Sequence, residues 1–195
     1  GYIVPNPEIV NAMYFGVPQH RERIYIVGFR KDLGITADDF VYPEQKEVTK
    51  KWIDVREEKP VPAKYYLSTT YQQTLINHKA RHAAKGNGFG YDIIPDDGVA
   101  HAIVVGGMGR ESNLVIDFRQ KDLTPTTNIK GTVNTDGWRK MTPREWARLQ
   151  GYPDNFKIVV ADASAYKQFG NSVAVPAIQA TASQLLKSLN DKNIL

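Results

Sequence analysis

The 195-residue chain has no cysteine. That absence removes disulfides, thiolate metal sites and any cysteine nucleophile in one step. Its four histidines, His20, His78, His82 and His101, show no HExxH or comparable ligand spacing, so no metal site is expected. No apolar run approaches the roughly 20 residues needed to cross a bilayer, and the first residues lack the basic-then-apolar pattern of a signal peptide. A cytoplasmic chain with no membrane partner is the expectation. Internal repeats and low-complexity tracts are also missing. What remains is an ordinary globular composition, 42% hydrophobic and 24% charged, with a net charge of +4. It suffices for one domain or a domain and a half, and tilts weakly toward a polyanionic partner.

Local patterns divide the chain. Residues 24–29 (IYIVGF) form a short apolar run rich in β-branched and aromatic side chains, expected as an interior strand of an α/β sheet. From 31 to 135, Gly, Pro, Asn, Asp and Tyr are scattered without long helical periodicity. Strand-like pieces at 102–105 (AIVV) and 114–116 (LVI) are separated by Gly-rich turns. One helix is expected near 71–84, with Leu75, His78 and His82 on a shared face. In TPREWARLQG, 142–151, Thr142 is an N-cap, Pro143 suits the first helical position, Glu145 completes a capping box and Gly151 supplies the stop. A last amphipathic helix is expected from GNSVAVP onward, with Ser172 as its N-cap and Ile178, Thr181, Leu185 and Leu189 repeating at intervals of three and four.

The stretch PQHRERIYIVGFR, 18–30, raises a chemical question. In an extended segment side chains alternate faces, so Gln19, Arg21 and Arg23 point one way and His20, Glu22 and Ile24 the other. Two guanidiniums on one face can grip a phosphate or donate to a carbonyl oxygen. GNGFG, 86–90, is not read as a nucleotide-binding loop, because a basic helical segment precedes it and no helix follows.

Three segments, FGVPQHRERIYIVGF, TPREWARLQGYPD and YKQFGNSVAVP, together resemble the eighth, ninth and tenth ordered motifs of the DNA cytosine-5 methyltransferases. A variable target-recognition region separates the first two in that family, as the gap here would require. The resemblance implies an α/β fold: the C-terminal part of a doubly wound methyltransferase domain that uses S-adenosylmethionine, with a small, mostly β and irregular recognition domain inserted. Residues 1–32 would end the catalytic domain and 33–135 form the recognition domain. Residues 136–165 would be a scaffold helix region, and 166–195 would return to the catalytic domain. Arg23 would contact a flipped cytosine, with Arg21 on the adjacent backbone or a carboxylate. Asn171, Ser172 and Val173 would wall the cofactor pocket, where a helix N-terminus would suit the cofactor carboxylate, and Gly170 would allow close approach. Double-stranded DNA would be met by Gln19, by Lys79, Arg81, Lys85 and Asn87 around the first Gly-rich loop, and by Arg110 in the second, VVGGMGRES. That second loop departs from many relatives, which carry a Thr-Leu pair where this chain has Val105-Gly106-Gly107. Arg144 and Arg148 would serve phosphates or packing.

The family reaction starts with a cysteine thiolate attacking C6 of an extruded cytosine, assisted by a glutamate, before C5 takes the methyl group. A hydroxyl does not replace a thiolate there without severe loss. This sequence also lacks a Pro-Cys segment, a Glu-Asn-Val segment and the Gly-rich cofactor loop, all of which precede the eighth motif in the family. The expectation is a DNA-recognising portion that works with an N-terminal catalytic partner bearing the cysteine. The alternative is a freestanding, non-enzymatic DNA-binding module. Either way, the chain alone is expected to transfer no methyl group to DNA; methylation by it alone would contradict the reading.

Overall fold

The computed structural model describes residues 1–106, 109–125 and 131–195. The N-terminal part holds five short strands: β1 (Tyr2–Ile3), β2 (Glu8–Asn11), β3 (Gln19–His20), β4 (Glu22–Tyr25) and β5 (Phe29–Arg30). β1 pairs with β5, and β2 with β4, both antiparallel. After the helix α1 (Thr69–Ala83), β6 (Ala100–His101) lies parallel to β3. β7 (Leu114–Ile116) then pairs antiparallel with β8 (Trp138–Lys140), and three helices follow: α2 (Pro143–Leu149), α3 (Asp162–Asn171) and α4 (Val175–Asp191).

The expected interior strand at 24–29 is corrected. Only its first two residues belong to β4, and one face is open: Ile24 is 67% exposed and Ile26 70%. Ile9, opposite Ile24 in the register, is 58% exposed, as cross-strand partners share a face. The other face carries Val10, Val27 and Phe29 into a core completed by Val17, Phe40 and Ala177 of α4. Leu185 and Leu189 pack against the same core, while Ile178 is 41% exposed. A second core joins Trp52 and Ile103 to Trp146, Leu149, Ala165 and Phe169. The expected strand at 102–105 does not form; pairing stops at His101, and beyond it only Ile103 is fully buried while Val104 and Val105 stay exposed. The expected strand at 114–116 is β7.

α1 starts one turn's fraction earlier than the apolar face suggests, because the Ser68 hydroxyl accepts from the Tyr71 amide. Leu75 anchors it against Leu67 and Leu114. α2 carries the expected capping box between Thr142 and Glu145, and Gly151 ends it at φ +79°. Arg148 pairs with Asp154 and donates to the Val55 and Arg56 carbonyls, and Arg144 donates to the Phe156 carbonyl, so both serve packing within the chain. α3 has no counterpart among the expected helices, since Gly170 and Asn171 at its end are weak helix formers. Burial of Ala165, Tyr166 and Phe169 outweighs that weak local preference. Ser172 closes α3 instead of capping α4; the N-cap of α4 is Ala174, without a side-chain bond.

An ionic hub ties the irregular region together. Arg139 on β8 is fully buried; its two terminal nitrogens each donate to Glu145 at 2.8 Å and its Nε to Asp117 at 3.0 Å. Asp117 also receives Arg119 at three points, two from the guanidinium and one from the amide, and Glu145 receives the Glu57 and Thr142 amides. Burial would raise the Asp117 carboxyl, but the Arg119 hydrogen bonds and the Arg139 charge outweigh it and hold the group well below the ordinary carboxylate range. Asp39 falls to about 2, chiefly through the Thr36 amide and then through Lys192, whose Nζ lies 3.0 Å away. Both carboxyls are depressed on folding, so their stabilisation is complete above the unfolded value of 3.8 and is lost as pH falls through the folded values. The thermal midpoint is therefore expected to drop as pH falls below about 4, with a shallower drop in Asp117→Asn; a scanning calorimetry series across about pH 5 to 2 checks it.

Candidate functional site

Gln19 and Arg21 do point the same way, and that way is inward. The Gln19 carboxamide is fully buried: its nitrogen donates to the Leu149 carbonyl at 2.9 Å and to Gln150 Oε1 at 3.3 Å, and its oxygen accepts from the Ile103 amide at 3.0 Å. Its expected place on DNA is thus corrected to a structural one, since an amide with both ends bonded in the interior offers nothing to solvent. Arg21 donates to the carbonyls of Ile103 at 2.7 Å, Gly170 at 3.1 Å and Ser172 at 2.9 Å. Gly170 and Ser172 stand at the C-terminal end of α3, where a cation also meets the negative end of the helix dipole. Gln150 adds a bond from its own nitrogen to the Phe169 carbonyl.

Burial, and then the neighbouring Arg23 charge, lower the Arg21 guanidinium to about 10, so it stays charged at neutral pH. Its Nε finds no acceptor among the described residues. Arg23, one step along the same face, is exposed and donates to the Glu22 carbonyl at 2.6 Å. The two arginines therefore divide the work: Arg21 fastens the chain and Arg23 presents a cation at the surface.

These residues meet in one cleft of about 390 Å³, lined by Arg21 and Arg23, by Ile24 and Ile26, and by Asn171, Ser172 and Val173. Residues 150 positions apart in sequence share a wall. Asn171 is exposed, Val173 is 51% exposed, and the Ser172 hydroxyl lies 2.7 Å from the Tyr152 hydroxyl. Because Asn171 and Ser172 stand at a helix C-terminus, the expected attraction of a carboxylate by free first-turn amides does not operate there. Gly170 does permit close approach, to the chain's own loop: a Cβ would fall 2.7 Å from the Val105 side chain. Tyr152 and Gln150 were not singled out by sequence. Their signal is a polar and an aromatic residue just past an otherwise apolar helix face.

The other candidates lie elsewhere. None of Lys79, Arg81, Lys85, Asn87 and Arg110 lines that cleft. Lys79 donates to the Tyr91 carbonyl at 2.9 Å, whereas Arg81, Lys85 and Asn87 are exposed near the end of α1. Arg110 lies 5.4 Å from the Tyr166 ring centre, in a smaller cleft with Lys167 and Val105; residues 107 and 108 of its loop lie outside the described ones.

A match to the C-5 cytosine-specific DNA methylase family covers residues 1–187. The chain belongs to that family. It is 68% identical over 191 residues to the type II methyltransferase M.HpaII of Haemophilus parainfluenzae, a match that takes in 98% of this chain and 53% of that protein. It is 38% identical over 182 residues to M.SsoII of Shigella sonnei, covering 93% of this chain and 44% of that one. The chain thus spans about half the length of the curated relatives it matches, and the match to M.HpaII falls on its C-terminal half. In fold it is similar to the Dnmt2 methyltransferase of S. pombe (TM-score 0.65, 20% identity, 97% of this chain and 59% of that one) and to EhMeth of Entamoeba histolytica (TM-score 0.61, 19% identity). The α/β class and the methyltransferase resemblance are borne out. Among the described residues, no helix is long and apolar enough to cross a membrane.

In this methylase chain Arg21→Ala would leave buried carbonyls without donors, and we expect a loss of about 3 kcal/mol in a urea titration at constant slope. Arg23→Ala, two residues on and exposed on β4, is expected to stay within about 0.5 kcal/mol of the parent. Equal effects from the two would contradict the division of roles.

Proposed function

We propose that the chain is the DNA-recognising portion of a DNA (cytosine-5) methyltransferase that flips a cytosine and methylates C5, and that it acts together with a portion or subunit carrying the cysteine nucleophile. The observation that carries this reading is the shared cleft. An exposed arginine, a polar Asn-Ser turn and a strip of uncovered isoleucine and valine line one hollow at the edge of a two-stranded ladder. A half-site of that kind suits completion by further sheet. Extrusion of the base is required because its C5 and C6 are out of reach of an enzyme group inside a duplex.

In this reading Arg23 meets the flipped cytosine, donating to a carbonyl oxygen from a guanidinium that also bonds the Glu22 carbonyl. Arg21 acts one layer behind, by holding the 170–172 turn in shape. The donor set fits S-adenosylmethionine as one wall: Val173 offers apolar surface, while the Asn171 amide and Ser172 hydroxyl offer polar contacts. When bound, the cofactor supplies the methyl group. The Arg81, Lys85 and Arg110 side chains stand exposed for DNA phosphates or base edges. Division at about residues 32, 135 and 165 into catalytic, recognition, scaffold and returning segments belongs to the same proposal, as does a site of action in the cytoplasm.

The test is complementation. Mixed with a chain bearing the missing family motifs, this chain is expected to restore methyl transfer to duplex DNA, and Arg23→Ala in the mixture to lower the rate roughly hundredfold while leaving assembly intact. Salt-dependent duplex binding with no activity in any such mixture would favour a non-enzymatic binding module instead.

A further inference from the structure

Phe89 is 67% exposed at the turn of the 86–90 loop. A bare phenyl ring on a mobile tail would mean little, but this loop is fastened to α1 on both sides. On one side the Gly86 amide donates to the Ala83 carbonyl at 3.0 Å and the Asn87 amide to the His82 carbonyl at 2.9 Å. On the other, Lys79 donates to the Tyr91 carbonyl, and Gly90 sits so close to the helix that a Cβ would fall 2.9 Å from the Lys79 side chain. The ring itself leans edge-on against His82, centre to centre 5.8 Å at 82°, and His82 packs on His78 at 4.4 Å. Burial, then His78, Lys85 and Arg81, hold the His82 imidazole below its ordinary range, so the brace behind the phenyl ring is neutral at pH 7.

The surroundings are of one sign. From Thr69 to Tyr91 there is no Asp or Glu, while Arg81 and Lys85 are exposed beside the loop. Asp92, the nearest acid in sequence, is engaged by His101 at 2.9 Å and faces Lys79 at 3.8 Å. An apolar ring on a fastened loop, with two exposed cations nearby and set between glycines with no side chains to obstruct close approach, matches a surface that is anionic outside and flat and aromatic within. A nucleic-acid duplex has that composition.

We propose that Phe89 is a wedge that enters the base stack of the bound DNA at a step outside the cytosine cleft, with Arg81 and Lys85 on the flanking phosphates. The inference rests on the methyltransferase reading and adds to it a second point of contact, one that opens a step by stacking, without hydrogen bonds to base edges. Every base offers a π-face to such a ring, so the wedge fixes the register and bend of the DNA more than its sequence.

The experiment uses the chain assembled with its complementary portion and a duplex containing the methylated site, with 2-aminopurine placed in turn at each step around it. Wild-type protein is expected to raise the fluorescence of one step and Phe89→Trp to retain the rise. Phe89→Ala is expected to lose it and to bind about tenfold more weakly, with an unchanged dependence of affinity on salt. The double variant Arg81→Ala, Lys85→Ala is expected to reduce the slope of log affinity against log salt by about 2. Because Phe89 is exposed, its variants are expected to keep the parent's urea midpoint, which separates loss of contact from loss of fold. Unchanged affinity in Phe89→Ala, or no 2-aminopurine response with a wild-type assembly that binds and methylates, overturns the wedge and leaves the methyltransferase reading standing. A wild-type assembly that neither binds nor methylates overturns both.

Discussion

The guanidinium of Arg21 is the fastening on which the site depends. Three carbonyls from two distant segments, Ile103 on one side and Gly170 and Ser172 on the other, accept from a single buried cation. Such bonds are charge-assisted, and each carbonyl would be left with a desolvation cost if the cation were removed. Gln19 and Gln150 repeat the device with neutral amides, joining the start of the chain to the ends of α2 and α3. Each of these short strands and helices is too brief to be stable alone; the polar bonds fix which of them meet.

Further from the cleft, the Arg139 hub does the same for chain that has little regular structure. A buried arginine with two carboxylates costs much to desolvate, so it is weak evidence for stability as such. Its geometry instead specifies an arrangement: Asp117, Glu145 and, through the capping box, Thr142 take one position relative to β8. That fixes α2, and α2 in turn positions Gln150 and the turn at Gly151 beside the cleft.

Legibility followed how local each signal was. The capping box of TPRE lies within a few residues and appears where expected; the three- and four-residue apolar spacing of the last helix is found in α4, whose start at Val175 is later than the Ser172 cap implies. The inward course of Gln19 was not readable, because alternation tells which side chains share a face and not whether that face meets solvent or the chain's own interior. IYIVGF reads as fully buried because its composition is that of a central strand; among the described residues Ile24 and Ile26 stay uncovered, and composition alone does not say which residues supply the cover. α3 is not legible locally, since Gly-Asn at its end disfavours helix and only the packing of Tyr166 and Phe169 overrides it. The three family motifs are clear because they carry order and spacing as well as residue type; that Arg23 and 171–173 line one cleft is a tertiary fact no local pattern states.

The open isoleucine face, the exposed Arg23 and the Asn171-Ser172 turn are three parts of one edge, and the account holds that this edge is where the remainder of the methyltransferase docks. Hydrogen exchange read before and after addition of the complementary portion tests that most directly. The account predicts slowed exchange at the amides of residues 22–26 and 171–175, with little change across α1; protection confined to α1 and the 86–90 loop, with the edge unaltered, would contradict it.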